Sequence, residues 1–451
     1  MIREPIAEYF VNRIWDIGLF NKDNLRSKDG RRIEVLFPGE LNTDSGADFR
    51  NASIKIDGIT HNGDVEVHVK NSDWRVHHHD RNPRYNSTIL HVTLWDGGFS
   101  LLTKKQNGDR IPTLVLADYL SKPIGSIWRV IEGSKESYPC SAKVLGKSGD
   151  AICSILDDAG MKRLYAKIGF FKEQFLAKNK DQAVYEGIMD ALGYSKNRKQ
   201  FRELADKVPF ELLKSKTLEE IQATLFGVAG LIPSFDGSNY DKETNEYIEN
   251  MKLIWGKFAP QFQGEIMSAE QWNFFRLRPE NFPTRRIGGF SYIIYNCREA
   301  SIIEHFISNV KNINNDIPTG QLCRSLREIL MQPANGYWLN HYTFGQANSR
   351  QSKFLIGKHR ADDIIINIIF PAVMAHAKIE HDNELIKKTL HFYSIYIPLQ
   401  DNRITRFFIS RIFHDQSQYS KMVNSALRQQ GLIHIYKSSC SVRDCIKCPF
   451  M

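Results

Sequence analysis

The sequence predicts a mixed α/β domain at the N-terminus, followed by a mostly α-helical region. Three observations indicate this fold class. Apolar residues recur at helical spacing in residues 5–19 and then alternate with polar residues in several segments between residues 33 and 95. From residue 151 onward the spacing is mostly helical. A cluster of residues that break helices and strands, at 146–150, separates the two patterns.

The first domain is expected to contain, in order, a helix, three strands, a short helix or structured loop, a fourth strand and a hairpin. The turn Asp57-Gly58 ends the second strand, Pro83 ends the short helix, and Asn107-Gly108 closes the hairpin. These elements are predicted at residues 5–19, 33–41, 49–56, 63–70, 74–80, 88–95, 99–103 and 112–117.

The length of 451 residues allows two or three compact units, and 42% hydrophobic residues suffice for a sizeable core. We expect a first domain over residues 1–148, a helical domain over 149–435 and a cysteine-containing tail over 436–451. The first 100 residues carry 13 basic and 15 acidic side chains, and the remainder carries 47 and 36. The net positive charge of residues 101–451 therefore favours a polyanionic partner such as nucleic acid. Residues 1–100 carry a slight negative charge and would need a bound cation to accept a phosphate group nearby.

The longest apolar runs, at residues 225–235 and 364–377, are shorter than the roughly 20 residues that cross a bilayer. We therefore expect no membrane association. Arg3 and Glu4 do not fit a secretory signal, and seven thinly spread cysteines indicate reduced thiols rather than a disulfide framework. The expected compartment is the cytoplasm, and the sequence does not predict an oligomeric state.

Along the third predicted strand, apolar and ionisable side chains point to opposite faces. The ionisable face carries Asp64, Glu66, His68 and Lys70. A solvated edge strand would explain this pattern. A metal site is the alternative, because six of the 14 histidines lie within residues 61–91 beside several carboxylates, namely His61, His68, His77, His78, His79 and His91. Taken alone, residues 77–79 are typical of a polar turn, and His91 is typical of a satisfied core histidine.

The order of elements, with Asp48 at the head of the second strand and Glu66 and His68 on the third, resembles the αβββαβ core of the restriction-endonuclease-like PD-(D/E)XK nucleases. The resemblance implies that Asp48 and Glu66 hold one or two Mg²⁺ or Mn²⁺ ions. His68 takes the position of the lysine that helps to activate water in that superfamily, and Ala47 replaces the usual proline.

The expected function is metal-dependent hydrolysis of phosphodiester bonds in DNA or RNA. His68 is expected to be a third metal ligand, a general base, or the sign of a protein that binds nucleic acid without cutting it. Lys70, His77 and His91 are expected to support the site, with His77 near the metal. The alternative functions are an inactive nucleic-acid-binding protein on a degenerate nuclease core and a metal-dependent hydrolase with a smaller substrate.

Over nearly its full length the chain also resembles a bacterial family known only as a domain of unknown function. The segments that carry this resemblance are residues 38–42, 45–49, 65–68, 72–74, His77, His79, Tyr85 and 89–92. The resemblance implies no activity.

Two groups of basic residues in the second half are candidates for binding nucleic acid. Arg276, Arg278, Arg285 and Arg286 lie among aromatic residues, and Lys358 and Arg360 form a second group. Arginine and aromatic side chains together can contact phosphates and stack on bases. Arginine side chains lying over a helical core explain the first group equally well.

Three cysteines lie close together near the C-terminus, at Cys440, Cys445 and Cys448. Such spacing suits Zn²⁺ or an iron–sulfur cluster, each of which normally needs a fourth ligand. Cys140 and His434 are the candidates for that ligand. A bound ion would fix the tail onto the first domain and act structurally. The alternative is that the cysteines coordinate nothing.

Overall fold

The structure is a computed structural model of the full chain. It describes residues 7–42, 46–98, 102–133, 139–234, 240–275, 277–331, 333, 335–347, 354–413, 415–441 and 445–451. The chain forms two compact units. Unit 1 contains Met1–Leu145 together with Lys437–Met451, and unit 2 contains Gly146–Tyr436.

Unit 1 combines a seven-stranded mixed sheet with helices. Its strands are β1 (Ile33–Phe37), β2 (Glu40–Leu41), β3 (Phe49–Ile56), β4 (Ile59–Lys70), β5 (Thr88–Trp95), β6 (Leu102–Lys104) and β7 (Arg110–Val115). Its α-helices are α1 (Glu8–Ile17), α2 (Asp73–Val76), α3 (Ile124–Gly133) and α4 (Pro139–Leu145). Short 3₁₀ turns lie at His79–Arg81, Pro83–Tyr85 and Leu116–Tyr119.

The sheet has the order β1-β3-β4-β5-β7-β6, and β2 pairs with β3 at one side. β1, β3 and β4 are antiparallel neighbours, β5 runs parallel to β4, and β7 runs parallel to β5. The chain approaches itself closely where β4 meets the start of β5. A side chain at Gly63 would place its Cβ 2.5 Å from the carbonyl oxygen of Ser87, so this position requires glycine.

One face of the sheet packs against α1 to form the main core of unit 1. Helix α1 buries Phe10, Val11, Ile14 and Trp15, as the helical spacing predicts, and ends at Gly18 in the left-handed conformation. The strands contribute alternate apolar residues, among them Ile54, Val65, Val67, Leu90, Val92 and Leu114.

The opposite face of the sheet is also buried, although it carries polar side chains. Residues 73–85 provide cover with Trp74 and Tyr85, which form a small apolar cluster with Ala47 and Ile111. Glu66 is 5% exposed and His68 is 1% exposed. The structure therefore excludes the interpretation of β4 as an edge strand with a solvated outer face.

Unit 2 is mostly helical. Its α-helices are α5 (Gly149–Ala177), α6 (Lys180–Leu192), α7 (Arg198–Lys207), α8 (Leu218–Val228), α9 (Lys242–Phe258), α10 (Pro283–Cys297), α11 (Ile302–Asn312), α12 (Thr319–Arg327), α13 (Tyr337–Asn340), α14 (Lys358–Ile364), α15 (Phe370–Ile379), α16 (Asn383–Ile395), α17 (Arg403–Phe408), α18 (Gln416–Met422) and α19 (Ala426–Ile435). The strands β8 (His341–Thr343) and β9 (Gln346–Ala347) form a hairpin. Helices α5 to α16 and the start of α19 contribute to one extended hydrophobic core.

Shorter turns connect the helices of unit 2. The 3₁₀ turns are Phe210–Leu213, Ala259–Phe262, Ala269–Gln271 and Pro279–Asn281, and π-helical turns occur at Ile365–Ile369, Ile409–Phe413 and Tyr436–Cys440. Helices α5 and α19 cross closely, since a Cβ at Gly160 would lie 2.3 Å from the carbonyl oxygen of Leu427.

The predicted fold class is confirmed at the level of a mixed sheet in the N-terminal part and a mostly helical remainder. The predicted strand at residues 33–41 is two strands, which are interrupted at Pro38 and Gly39. The third predicted strand begins at Ile59 instead of Gly63, and residues 99–101 of the hairpin lie outside the described residues. No helix in the described ranges is long and apolar enough to cross a membrane.

Candidate metal centre

Strand register brings several of the predicted site residues onto one buried face of the sheet. Glu66 on β4 lies beside His91 on β5, which lies beside Thr113 on β7. His68 follows Glu66 on the same face of β4, because side chains two residues apart share a face. Alternation along β4 therefore accounts for Glu66 and His68 as neighbours, and the register between β4 and β5 adds His91.

Asp48 joins this face from the loop that leads into β3. Its backbone N–H donates to Glu66 Oε2 at 2.8 Å, and the N–H of Val67 donates to Asp48 Oδ2 at 3.2 Å. The side chain of Asn12 on α1 adds a further hydrogen bond to Asp48. Two carboxylates 18 residues apart in the sequence are thereby fixed next to each other.

Glu66 is buried and Asp48 is half-buried, and neither has a compensating cation among the described residues. Burial and the neighbouring carboxylates of Glu66 and Glu8 raise the pKa of Asp48 to about 7. Burial and Glu8 raise the pKa of Glu66 to about 8. The described part of the chain pairs no lysine or arginine with either group. Buried acids in this arrangement favour either protons or a bound metal cation.

Three imidazoles lie against the same carboxylates. Nδ1 of His77 is 3.2 Å from Nε2 of His68, and Nε2 of His79 is 3.0 Å from Oε1 of Glu66. His68 Nε2 is 3.5 Å from that same oxygen. In the described residues, His68, His77 and His79 offer ligand atoms that all lie within 4.8 Å of one another. This spacing is compatible with shared coordination of one ion.

His91 lies behind His68 and orients it. His68 Nδ1 is 2.9 Å from His91 Nε2, and His91 Nδ1 is 2.9 Å from the hydroxyl of Thr103, which contacts Thr113 at 3.0 Å. Two sets of tautomers satisfy this chain, with the donors directed either from His68 toward Thr103 or from Thr103 toward His68. In the first set, Nδ1–H of His68 donates to His91 and Nδ1–H of His91 donates to Thr103, which leaves the lone pair of His68 Nε2 available to a metal ion. Burial lowers the pKa of His91 to about 3 and also lowers that of His68, so both rings stay neutral.

Two residues of the cluster were given no role at the site from the sequence, although His79 was one of the six clustered histidines. Glu8 at the start of α1 places Oε1 3.7 Å from Nδ1 of His77 and 4.0 Å from Nε2 of His68. His79 stacks on Tyr85 with a centroid distance of 3.8 Å, and its Nδ1 is buried without a hydrogen-bond partner in the described structure. The i, i+2 spacing of His77 and His79 was the available signal for His79. An acid at the start of a helix gives no such signal.

Lys70 is placed differently from the other predicted residues. Its side chain is exposed, and its backbone N–H donates to Asp73 Oδ2 at 2.8 Å. The expected support from Lys70 therefore has no counterpart in the contacts that the structure describes. His77 is the most exposed imidazole of the three, with 41% of its side chain accessible.

The basic residues proposed for nucleic-acid binding divide into buried and exposed groups. Arg285 donates to the carbonyl oxygens of Trp338 and His341, and Arg286 donates to that of Leu355. Both side chains are at most 3% exposed, so they stabilise unit 2 and cannot reach a phosphate. The guanidinium of Arg360 lies 3.3 Å from the ring centroid of Tyr194. Arg278 and Lys358 are exposed, and Arg276 lies outside the described residues.

The four cysteines singled out in the sequence all belong to unit 1. Burial, together with Cys448 and Cys445, raises the pKa of Cys140 to about 11. Burial, together with Cys448, Cys140 and Cys445, raises the pKa of Cys440 to about 12. Each of these thiols is therefore close enough to influence the others, and none forms a disulfide. His434, the other candidate for a fourth ligand, belongs to unit 2.

Comparison with known proteins identifies a family. No curated protein and no solved structure matches the chain. A family model described as "Protein of unknown function (DUF2851)" matches residues 8–403, a range that includes every carboxylate and imidazole of the cluster described above. The predicted membership of an uncharacterised family is confirmed. The chain belongs to the DUF2851 family of proteins of unknown function.

Proposed function

We propose that unit 1 is a metal-dependent nuclease that hydrolyses phosphodiester bonds in DNA or RNA. The observation that carries the proposal is the contact between Asp48 and Glu66, two acids whose pKa values are both raised and whose partners are backbone N–H groups and, for Glu66, the imidazole of His79. Burying an acid without a cationic partner lowers the stability of the folded protein, so acids in this environment are often part of a functional site. Binding a divalent cation is the purpose that this donor set fits.

The residues that would hold the cation are Asp48, Glu66, His68, His77 and His79, with Glu8 at the edge. A mixture of imidazole and carboxylate donors favours Mn²⁺ over Mg²⁺, which prefers oxygen ligands. The nitrogen of His79 that lies at the site is Nε2, which is 3.0 Å from Oε1 of Glu66. When bound, the ion would polarise a phosphate and acidify a coordinated water.

The side chains would divide the remaining work between proton transfer and orientation. His77 combines contact with the cluster and access to solvent, so it would accept a proton from the attacking water in an arrangement where the ion is held by the other four residues. His91 holds the ring of His68 with Nε2 toward the carboxylates. It is a positioning residue, because the buried ring cannot contact a substrate.

Two further features support nucleic acid as the substrate. The antiparallel strands β3 and β4 are followed by a short helical crossover and the parallel strand β5, an order that resembles the PD-(D/E)XK core. Residues after position 100 carry a net charge of +11, and Arg278 and Lys358 are exposed in unit 2. Basic side chains of this kind attract phosphate backbones.

The second candidate function is binding of nucleic acid without cleavage. His68 stands where the resembling nucleases have lysine, and its low pKa prevents it from supplying a positive charge beside the phosphate. Without that lysine, a degenerate core would bind a cation and nucleic acid but would cleave neither DNA nor RNA.

Cleavage assays on the purified chain separate these functions. Labelled single- and double-stranded DNA and RNA are incubated with Mn²⁺, Mg²⁺, Zn²⁺ or chelator, for the wild type and Glu66→Gln. We expect cleavage that requires metal and is lost in Glu66→Gln. Asp64→Asn is the matched control, because Asp64 lies on the same strand but its carboxylate accepts from Ser87 and the backbone of Asn51. Cleavage that persists in Glu66→Gln would exclude the proposed site. A gel shift without cleavage would favour the second candidate function, binding of nucleic acid without cleavage.

A further inference from the structure

The C-terminal tail returns to unit 1 and lies against the helix that carries Cys140. Cys140 begins the first turn of α4 and is 5% exposed. Lys143, one turn later on the same helix, donates from Nζ to the carbonyl oxygen of Met451 at 3.2 Å. The contact joins residues 308 positions apart and brings the end of the chain next to Cys140.

A tight turn within the tail brings two further cysteines together. The N–H of Cys448 donates to the carbonyl oxygen of Cys445 at 3.2 Å, and the N–H of Met451 donates to that of Cys448 at 2.9 Å. Cys448 is 7% exposed, and Phe450 beside it is fully buried. Cys440 lies at the end of the π-helical turn Tyr436–Cys440. The turn therefore places Cys445 and Cys448 next to each other, close to the contact between Met451 and α4.

The four thiols, one from α4 and three from the tail, lie close enough to influence one another. The electrostatic influence of Cys445 and Cys448 reaches both Cys140 and Cys440, so the grouping includes all four residues. Four unbridged cysteines grouped in this way are unusual in a chain whose other three cysteines are scattered through unit 2. Thiolate coordination explains the grouping, because packing alone would not select four cysteines.

We propose that Cys140, Cys440, Cys445 and Cys448 hold an iron–sulfur cluster that fixes the tail onto unit 1. The spacing Cys-x4-Cys-x2-Cys with one distant cysteine is a known arrangement for such clusters. Coordination would replace each S–H bond with an S–Fe bond and release one proton per thiol. Lys143, one helical turn from Cys140, would lie near the resulting negative charge.

A cluster tolerates a wider spacing of its thiolates than a single zinc ion does. Tetrahedral zinc with Zn–S bonds of 2.3 Å requires sulfurs about 3.8 Å apart. Among the described residues, the three imidazoles of unit 1 form a closely spaced group of potential metal ligands, and the four cysteines do not belong to such a group. A cluster places several iron and sulfide atoms between its thiolates and so accommodates a wider spacing.

The test is chemical analysis of the full-length protein, produced in iron-rich medium and purified without oxygen. We expect a brown protein that contains more than one iron per chain and an equal amount of acid-labile sulfide. Cys445→Ala should lose at least half of the iron. Cys153→Ala, which removes a half-buried cysteine of unit 2, should keep all of it. A colourless protein with one zinc per chain, or with neither metal, would overturn the cluster.

Alkylation of the wild type gives a test that does not depend on how the variants fold. Under native conditions iodoacetamide should modify none of the four cysteines, and after oxidative destruction of the cluster it should modify the half-buried Cys440 and Cys445. Mass spectrometry assigns each site. Equal modification of Cys440 and Cys445 before and after this treatment would contradict the proposal.

Discussion

The two units bury acidic side chains in opposite ways. In unit 2, Asp362 is 3% exposed and accepts from Arg327 Nε at 2.5 Å, from Arg327 Nη2 at 3.0 Å and from the hydroxyl of Tyr396 at 2.5 Å. In unit 1, Asp48 and Glu66 are buried against each other, with backbone N–H groups and neutral imidazoles around them. The charge of Asp362 is thus neutralised by an arginine of the same chain, whereas the charges of Asp48 and Glu66 are not.

This difference separates a structural acid from a functional one. A paired acid such as Asp362 contributes to stability only as long as its partner remains, because either charge alone would be buried and uncompensated. Two neighbouring acids without a cationic partner, such as Asp48 and Glu66, lower the stability of the metal-free fold and leave a strong site for a cation. Substitution of Asp362 and substitution of Glu66 should therefore have opposite effects on stability.

Replacing Glu66 should have the largest effect on cleavage of nucleic acid and should not lower the free energy of unfolding. Glu66→Gln keeps the shape of the side chain but removes a metal ligand, so cleavage should fall by about a thousand-fold or more. The free energy of unfolding of the metal-free protein at pH 8 should stay the same or rise. Kinetic assays and urea denaturation measure the two effects. A large loss of stability would show that Glu66 is a structural acid like Asp362.

Replacing Asp362 should give the opposite result. Asp362→Ala leaves Arg327 buried without its carboxylate and should destabilise unit 2 by about 3–5 kcal/mol. Denaturant titration of the variant and of Arg327→Ala checks the value, and the double variant should lose less than the sum of the two single variants. Metal binding by unit 1 should not change. Additive losses would contradict a direct ion pair.

The contribution of Asp48 and Glu66 to the stability of the metal-free protein should decrease as the pH rises from 6.5 to 8. The pKa values of these two acids, about 7 and about 8, are higher in the folded state than in the unfolded state. At these two groups the folded state therefore binds more protons than the unfolded state, and about 2 kcal/mol of stability is lost as the protons dissociate. Buried imidazoles such as His68 and His91 act in the opposite sense, because they are neutral in the folded state while the unfolded chain still releases their protons, so the share of the acids is the difference between the wild type and Glu66→Gln. Denaturation at several pH values measures the slope, which should flatten in Glu66→Gln.

Removing the partner of His68 should weaken metal binding by about 10- to 100-fold. His91→Gln breaks the hydrogen-bond chain that fixes the tautomer of His68, and calorimetry should detect the lower affinity. Thr93→Val is the matched control, because Thr93 lies two residues further on the same buried face and its hydroxyl has no described partner. Equal losses in both variants would attribute the effect to general disruption of the sheet.

The smallest effect is expected at the exposed basic residues. Lys358→Ala and Arg278→Ala should each reduce the slope of log affinity for nucleic acid against log salt by about one, because each removes one phosphate contact. Arg285→Lys should lower stability and leave that slope unchanged, since Arg285 is bound to backbone carbonyl oxygens. Fluorescence anisotropy at several salt concentrations measures the slopes. An unchanged slope in all three variants would place nucleic acid elsewhere on the chain.

Local patterns in the sequence were sufficient for the strands and for part of the site. Alternation placed Glu66 and His68 on one face, and the resemblance to the PD-(D/E)XK core implied that Asp48 lies near them. Glu8 could not be predicted, because its position depends on how α1 packs against the sheet. The buried hydrogen bonds of Arg285 could not be predicted either, because the acceptors at Trp338 and His341 lie more than 50 residues away in the sequence. Both features depend on contacts between distant parts of the chain, which local periodicity does not predict.

Calorimetric titration of Mn²⁺ into the chelator-treated chain at pH 7.5 tests the central claim most directly. The carboxylates and imidazoles of unit 1 should bind at least one equivalent of Mn²⁺ and release protons, because Asp48 and Glu66 are partly protonated without metal. The heat should vary with the ionisation enthalpy of the buffer, and Glu66→Gln should remove most of it. Binding that is absent, or that is unchanged in Glu66→Gln, would contradict a metal centre at this site.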